Sequence, residues 1–594
     1  MSQRQRVWHL LPAPEPLAVR RIAREAQISE VVAQLLWQRG IRSAPEAKQF
    51  LYGRLSDLLP PERLCGVREA ARRIVSAIQA RQKICIYGDY DVDGVTGTAI
   101  LLRLLQHLQA SVEYHIPIRL AEGYGLNAER LRELHQRQVH LVITVDCGIA
   151  SLAEAELAQQ LGMELIITDH HQWKVDGSGT PLLPPAAVIV HPRWPEGHYP
   201  SGELSGAGVA FKLAWAIAQI ASGTPQGALP QELRNILLEG VGLAALGMVA
   251  DAVPLRGENR LFVRHGLRRI VEQPSLGLRA LMEAAQLQIG DKLTAEDVGY
   301  RLAPRLNAAG RLGCARMAVE LLTTRSYTTA KTHAQFLEKQ NDQRQALERQ
   351  ATHQAKEFVD QHYRHDPALV VADKRWHPGV VGIVAARLVD HYGKPAIVIA
   401  IREGESLATG SGRSVPALPL HEALRACEGF LESYGGHAAA AGLKILPERI
   451  DAFRLAFNHY VARHFPSGSP APRLLLDAEI PLSAITPTLL QELDRLEPYG
   501  SDNPPPKFLA TGVTVEQIRR IGQGESPRHL ELRVSQGGQR LRCVGWNMAE
   551  RYEELEKASQ VCLAFTPYRN TYQGYNRIEL RLLDIQCGSQ PQLE

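Results

Sequence analysis

The chain has 594 residues, 45% of them hydrophobic and 22% charged, with a formal net charge of +4. That length supports several domains with sizeable cores, and the balance excludes a disordered or fibrous protein. The slight positive charge permits a nucleic-acid partner without demanding one, so local basic groups carry more information than the total.

Cys65, Cys85, Cys147, Cys314, Cys427, Cys543, Cys562 and Cys587 are scattered, with no Cys-x-x-Cys pair. This argues against a zinc ribbon or a disulfide framework and suits a reducing, cytoplasmic setting. Met1-Ser-Gln-Arg-Gln-Arg6 has no apolar core of a signal peptide. No run of about 18 uncharged apolar residues suggests a membrane span, and the Gly-rich apolar segment 237–250 reads as a buried element.

Residues 1–75 are Arg-rich and helical in pattern, and are expected to form an N-terminal extension against the first lobe. From about 80 to 215, strand-like and helix-like segments alternate, which predicts a parallel, doubly wound sheet. Residues 215–325 read as mainly helical. Residues 328–362 lack Gly and Pro and carry a thin apolar stripe, which predicts one long helix bridging two lobes. A second α/β unit follows at 363–465, with strands expected over 368–372 and 396–401. Pro466-Ser-Gly-Ser-Pro-Ala-Pro472 has the composition of a linker. Alternating segments such as His529-Leu-Glu-Leu-Arg-Val534 predict a small barrel within 470–590. The first lobe then spans 76–327.

Four apolar runs, each read as a strand, end in acid or histidine. Lys83–Gly88 leads into Asp89, Asp91 and Asp93. Leu141–Val145 leads into Asp146, Glu164–Thr168 into Asp169-His170-His171, and Leu246–Ala250 into Asp251. Gathering carboxylates and imidazoles at one apolar place is costly unless cations pair with them. Parallel sheets bind ligands at the carboxyl ends of their strands. Oxygen ligands suit Mg2+ or Mn2+, and an imidazole tilts the choice toward Mn2+. An EF-hand would place Glu twelfth from Asp89, but Ile100 stands there.

In order, Asp91-Val-Asp93-Gly94, Asp146, Asp169-His170-His171 and Ala250-Asp251-Ala-Val-Pro-Leu255 resemble the motifs of the DHH phosphoesterases. Gly123-Tyr-Gly-Leu126, Arg305-Leu-Asn-Ala-Ala-Gly-Arg311, His377-Pro-Gly-Val-Val-Gly382, Ser411-Gly-Arg-Ser414 and Gly435-Gly-His-Ala-Ala-Ala-Ala-Gly442 extend the likeness. Over roughly 80–590 the set is similar to the branch of that superfamily that degrades single-stranded DNA from the 5′ end in repair and recombination. The resemblance implies an α/β fold of two lobes, a DHH domain and a DHH-associated domain, joined by a long helix and followed by an OB-fold barrel. It implies two divalent ions held by Asp89, Asp91, Asp93, Asp146, His170, His171 and Asp251, with Asp146 and His171 nearest the chemistry. Asp93 and Asp146 are expected to bridge the ions, and His171 to bind either a metal or the phosphate. Tyr87 is a departure, since many members of the family have His there, and Asp89 is expected to take over that contact.

The resemblance further implies a 5′-phosphate pocket of Arg119, Ser411 and Arg413, and strand contacts from Arg305, Arg311, Gly436 and His437. Guanidinium forks match phosphate geometry, and small residues admit a backbone. Both lobes are expected to shape one narrow cleft. Trp546, Phe565, Tyr568, Tyr572 and Tyr575, interleaved with Arg569 and Arg577, suggest base stacking on the barrel. The partners implied are single-stranded DNA with a 5′ end, a single-strand-binding protein and a helicase, for a monomer that binds no membrane. A phosphoesterase for small nucleotides, or a DNA-gripping scaffold without catalysis, are the competing readings. The length argues against the first, and the intact Asp and His set against the second.

Overall fold

The computed structural model describes all residues except 1–5, 119–121, 195–196, 225–227, 467, 469–470, 523–526 and 571–576. The chain forms two compact units. The first comprises Met1–Pro304, Ala318–Lys331 and Arg473–Glu594, and the second comprises Arg305–Met317 and Thr332–Pro472. The division falls near the start of the long helix Tyr327–Phe358, which runs on into a π-helical turn at Val359–Tyr363.

The first unit is built around five parallel strands in the order Val112–His115, Ile84–Gly88, Leu141–Val145, Glu164–Thr168, Val188–Val190. Ile84–Gly88 and Leu141–Val145 are buried at every position, as central strands covered on both faces must be. Leu131, Leu134, Ala155 and Ala158 cover one face, from the helices Ala128–Gln136 and Leu152–Gln160. Helix Val92–His107 belongs to the other layer, against Gly206–Ala221 and Gln231–Ala250.

One expected strand is a helix. Leu246–Ala250 is the last part of Gln231–Ala250, and Asp251 is its C-terminal cap. A five-residue apolar run reads alike in either state when every side is covered, and here the helical pattern runs back to Gln231. Among the described residues this helix alone is long and apolar enough to cross a membrane, but most of it is buried inside the unit.

Residues 1–75 divide between two partners. Helix Val67–Gln79 packs on the parallel-sheet layer, against Gly206–Ala221 and Val188–Val190. Helices Pro16–Ala26, Glu30–Gln38 and Ala44–Tyr52 instead share a core with Leu489, Leu490 and Leu493 and with the barrel residues Phe508, Leu532 and Phe565. The extension expected against the first lobe therefore mostly covers the barrel. Strand Val7–Leu10 also pairs in parallel with Arg473–Leu476. The reason is burial, because each large apolar side chain withdrawn from water contributes about 1.5–3 kcal/mol. The barrel closes when Phe508–Ile521 pairs with both His529–Gln536 and Gln560–Asn570. Gln539–Gly545 and Arg577–Cys587 complete it.

The second unit holds a five-stranded sheet ordered Ser433–Gly436, Ala440–Ile445, Ala408–Arg413, Ala396–Ala400, Leu369–Asp373. Only the last pair is parallel. One face is covered by helix Val381–Tyr392 with Ala351 and Ala355 of the long helix, the other by Phe453, Phe457 and Val461.

Candidate metal centre and phosphate sites

The sheet itself delivers three of the acids to one edge. Asp89 N donates to Val145 O at 3.1 Å, Asp146 N to Thr168 O at 3.0 Å, and Asp169 N to Val190 O at 3.3 Å. Each acid is thus the residue after a strand, still tied to the neighbouring strand's last carbonyl. Asp91 caps the following helix, accepting from Asp93 N at 2.9 Å and Gly94 N at 3.1 Å. Asp251 comes not from the sheet but from the end of helix Gln231–Ala250.

Asp93 is fixed by the start of helix Gly206–Ala221. Its carboxylate accepts from Ser205 Oγ at 2.9 Å, Gly206 N at 2.6 Å and Ala207 N at 3.1 Å. A helix N-terminus is a natural place for an anion. The same helix is anchored by the buried Lys212, whose Nζ donates to Glu258 Oε1 at 2.6 Å.

Glycines make room for this crowding. A Cβ on Gly94 would lie 2.7 Å from Asp89 Cα, and one on Gly206 would lie 2.6 Å from Asp146 Cβ and Cγ. Asp146 itself has φ +65°, a left-handed conformation that is uncommon for a residue other than glycine.

Burial, and then the neighbouring carboxylates, disfavour charge on this cluster. They push Asp93 up to about 7 and Asp251 up to about 8. Asp89 and Asp146 are raised well above the carboxylate range for the same reasons. His170 is held neutral: burial first, then charge on His171, lowers its pKa to about 3. Its Nε2 lies 3.1 Å from Asp146 Oδ1, 3.8 Å from Asp93 Oδ2 and 3.7 Å from Asp251 Oδ2. Asp89 Oδ1, Asp146 Oδ1 and His170 Nε2 are buried with no hydrogen-bond partner. Buried carboxylates crowded together, with oxygen and imidazole nitrogen atoms left without a partner, are the kind of set that divalent cations compensate.

Three groupings bring ligand atoms within 4.8 Å of one another: Asp89, Asp91 and Asp146; Asp93, His170 and Asp251; and Asp146, His170 and His171. Asp146 and His170 recur among them, while Asp93 falls in one alone. All seven expected metal residues are therefore brought together.

His171 differs from its neighbour. Its Nδ1 lies 2.8 Å from Asp169 Oδ1 and 2.9 Å from Tyr124 Oη. Burial opposes charge on this ring, but the bond to Asp169 and the surrounding carboxylates outweigh it and lift the pKa to about 9. Asp169 is buried too, yet its bonds from His171 and from Ile149 N hold it far below the usual carboxylate range. With Nδ1 donating to Asp169, that nitrogen has no lone pair for a metal, and Nε2 is left for other work.

Tyr87 takes no part in the cluster. Its ring is fully buried among Leu126, Leu131 and Leu134, edge-on to His115 with centroids 4.9 Å apart.

In the second unit Arg305 is engaged by Glu338 through its Nε and Nη2. Arg311 Nη1 donates to Gly379 O at 3.1 Å. Arg413 lies beside Ser411, with Nη1 3.3 Å from Ser411 Oγ. A Cβ on Gly382, in the first turn of helix Val381–Tyr392, would come 2.9 Å from Ser411 Oγ. Gly436 has φ +144°, and a Cβ there would meet Ala441 Cα at 2.5 Å, so only glycine fits. His437 is exposed at the tip of that hairpin, its N donating to Ala440 O at 2.8 Å. Arg119 lies outside the described residues.

Three family models match the chain: the DHH family N-terminal domain over residues 83–241, the DHHA1 domain over 365–463 and the RecJ OB domain over 476–584. The single-stranded-DNA-specific exonuclease RecJ of Bacillus subtilis is 38% identical over 571 residues, covering 96% of this chain and 70% of that protein. The chain belongs to the RecJ family.

The RecJ of Escherichia coli is 32% identical, covering 94% of this chain and 96% of its own. The crystal structure of Thermus thermophilus RecJ in complex with Mn2+ superposes with a TM-score of 0.82 at 34% identity, covering 99% of this chain and 80% of that one. Its Mg2+ complex gives 0.76 at 32% identity, covering 98% and 79%. The RecJ-family barrel limits which aromatics can meet a base. Phe565 is fully buried in the barrel core, so it cannot stack on DNA. Tyr568 donates to Glu579 at 2.7 Å, while Trp546 is 56% exposed and edge-on to His529. Tyr572 and Tyr575 lie outside the described residues. Sequence reasoning quoted Tyr124 within the Gly123-Tyr-Gly-Leu126 motif without giving it a role, and did not single out the holding role of Asp169, the Ser205–Ala207 helix start, or His191, whose Nε2 donates to His171 O at 2.8 Å. Their signal, a polar residue at a loop or helix start, is too common to stand out alone.

Proposed function

We propose that this chain hydrolyses phosphodiester bonds of single-stranded DNA from a 5′ end, releasing 5′-mononucleotides, in DNA repair and recombination. The observation that carries the reading is the buried cluster of carboxylates and His170, with ligand atoms left unpartnered, at the carboxyl edge of the parallel sheet of a RecJ-family chain. Asp89, Asp91 and Asp146 would hold one divalent ion, and Asp93, His170 and Asp251 the other. Asp146 is the shared carboxylate in this assignment, since Asp93 is already engaged by the helix start. When bound, Mn2+ or Mg2+ supplies polarisation of a phosphoryl oxygen and a nucleophilic water at neutral pH.

The residues of the chain do the rest. Asp93 is oriented by Ser205, Gly206 and Ala207, so its oxygens are aimed before substrate arrives. His171, with Nδ1 committed, offers Nε2–H to a non-bridging oxygen or to the leaving oxygen. Arg119, Ser411 and Arg413 would receive the 5′ phosphate. Arg305, Arg311, Gly436 and His437 would follow the backbone, Arg305 once released from or shared with Glu338. The barrel would bind the strand further along, with Trp546 as its exposed stacking surface. The same reading extends to a single-strand-binding protein and a helicase as partners, and to action as a monomer.

The test is incubation with Mn2+ and 5′-labelled single strands, blunt duplexes and dinucleotides, alongside Asp146→Asn. Mononucleotides released from the long single strand, and a rate lowered at least about 10^3-fold in the variant, support the reading. Cleavage of dinucleotides alone, or DNA binding without any cleavage, overturns it.

A further inference from the structure

We propose that Tyr124 is a positioning residue for His171, acting through its hydroxyl; this rests on the hydrolase reading above. Tyr124 Oη donates to the backbone carbonyl of Asp146 at 3.1 Å and stands 2.9 Å from His171 Nδ1. Its one hydrogen is spent on Asp146 O, so toward His171 the phenol can only accept. His171 Nδ1 must therefore carry a proton, shared between Tyr124 Oη and Asp169 Oδ1.

That sharing has a reason. Asp169 Oδ1 already accepts from His170 N at 2.7 Å and His171 N at 3.0 Å as well as from the ring. One oxygen with three donors fixes the ring's distance but leaves its tilt weakly determined. The phenol supplies a second acceptor from another direction, with the two rings edge to face and centroids 5.5 Å apart. The other end of the same phenol grips the carbonyl of Asp146, the residue held at φ +65°. A single hydroxyl thus ties the backbone of the shared carboxylate to the imidazole that would face the substrate.

The loop is shaped for this. Gly123 and Gly125 have φ +85° and +86°, conformations that side-chain-bearing residues rarely adopt. A Cβ on Gly125 would lie 3.0 Å from Ser151 Oγ, which also accepts from Leu126 N at 3.4 Å. Tyr124 as a residue is 47% exposed, so its competing role is stacking on a base.

Two substitutions separate the roles. Tyr124→Phe keeps the ring and removes the hydroxyl, and Tyr124→Leu removes both. Positioning predicts that Tyr124→Phe lowers kcat about 10-fold while KM for single-stranded DNA and Mn2+ affinity by calorimetry stay within about twofold of wild type. Histidine-selective 15N spectra of the Mg2+-loaded protein, with His171→Gln identifying the signal, should show an Nδ1-protonated ring in wild type. In Tyr124→Phe the His171 signals should shift and broaden, because the ring keeps Asp169 but loses its second anchor. Unchanged kcat and unchanged His171 signals in Tyr124→Phe refute the proposal, as does a raised KM confined to Tyr124→Leu, which assigns the ring to stacking. If wild type cleaves no single strand, the hydrolase reading fails instead, and the 15N spectra still report on the hydroxyl.

Discussion

Gly206→Ala tests whether close packing of the carboxylates, rather than their mere presence, sets activity. In an ordinary helix this change stabilises by about 0.5–1 kcal/mol. Here the new Cβ would lie 2.6 Å from both Cβ and Cγ of Asp146, and closer still to its Oδ1. Ordinary contact begins at 3.4 Å, so one partner must retreat by about 0.8 Å. Asp146 cannot rotate out of the way, because Cβ itself is struck and the residue is only 1% exposed. If the helix start retreats instead, the 2.6 Å bond from Gly206 N to Asp93 is lost. Either route displaces a carboxylate of the cluster. Overpacking of this kind costs about 1–3 kcal/mol of stability, and a misplacement near 1 Å costs about 10^2-fold in rate. Urea unfolding, Mn2+ calorimetry and steady-state cleavage of a 5′-labelled single strand measure the three quantities. Gly299→Ala is the control, since its Cβ meets nothing within 4 Å. A Gly206→Ala protein that melts at or above wild type and cleaves at the wild-type rate would refute the reasoning.

The metal-free protein should lose stability as pH rises from 6.5 to 8. Asp93 and Asp251 have folded pKa values, about 7 and about 8, above their unfolded value of 3.8, and His171, at about 9, lies above 6.5. In that window the folded state holds more protons than the unfolded one, so raising pH favours unfolding. Saturating Mn2+ should flatten or invert the slope, and melts with and without chelator across the window decide it. Arg413→Ala should erase about 10-fold or more of any preference for a 5′-phosphorylated over a 5′-hydroxyl strand, while leaving Mn2+ affinity alone; an unchanged preference places the end elsewhere. Arg260→Met should destabilise by about 3 kcal/mol or more, because the 2% exposed guanidinium donates to the carbonyls of Phe50, Arg495, Leu496 and Glu497. Lysine should not rescue it, since one ammonium cannot span those acceptors. Equilibrium urea curves are the measurement.

Much of the site was legible because its chemistry is local. Asp89, Asp91 and Asp93 share one loop, Asp169-His170-His171 are consecutive, and Asp146 follows an unmistakable apolar strand. Asp251 was legible as a member of the cluster although its element was misread, since a short apolar run covered on all sides reads the same as strand or helix. Phe565 failed the other way: an aromatic beside arginines suggests stacking, yet strand alternation turns it into the barrel core.

The sequence by itself determined the alternation of strands and helices, the long helix, and the carboxylate and histidine types that make a cation centre. Periodicity and residue chemistry are properties of near neighbours, so one chain suffices to read them. Only the tertiary structure decided that helix Gly206–Ala221 would begin at Asp93 and that the N-terminal helices would cover the barrel. It alone showed that Tyr124 and Asp169 would both stand within hydrogen-bond distance of His171 Nδ1. These depend on which distant surfaces bury each other, and on spacings of a few tenths of an ångström that no local pattern encodes.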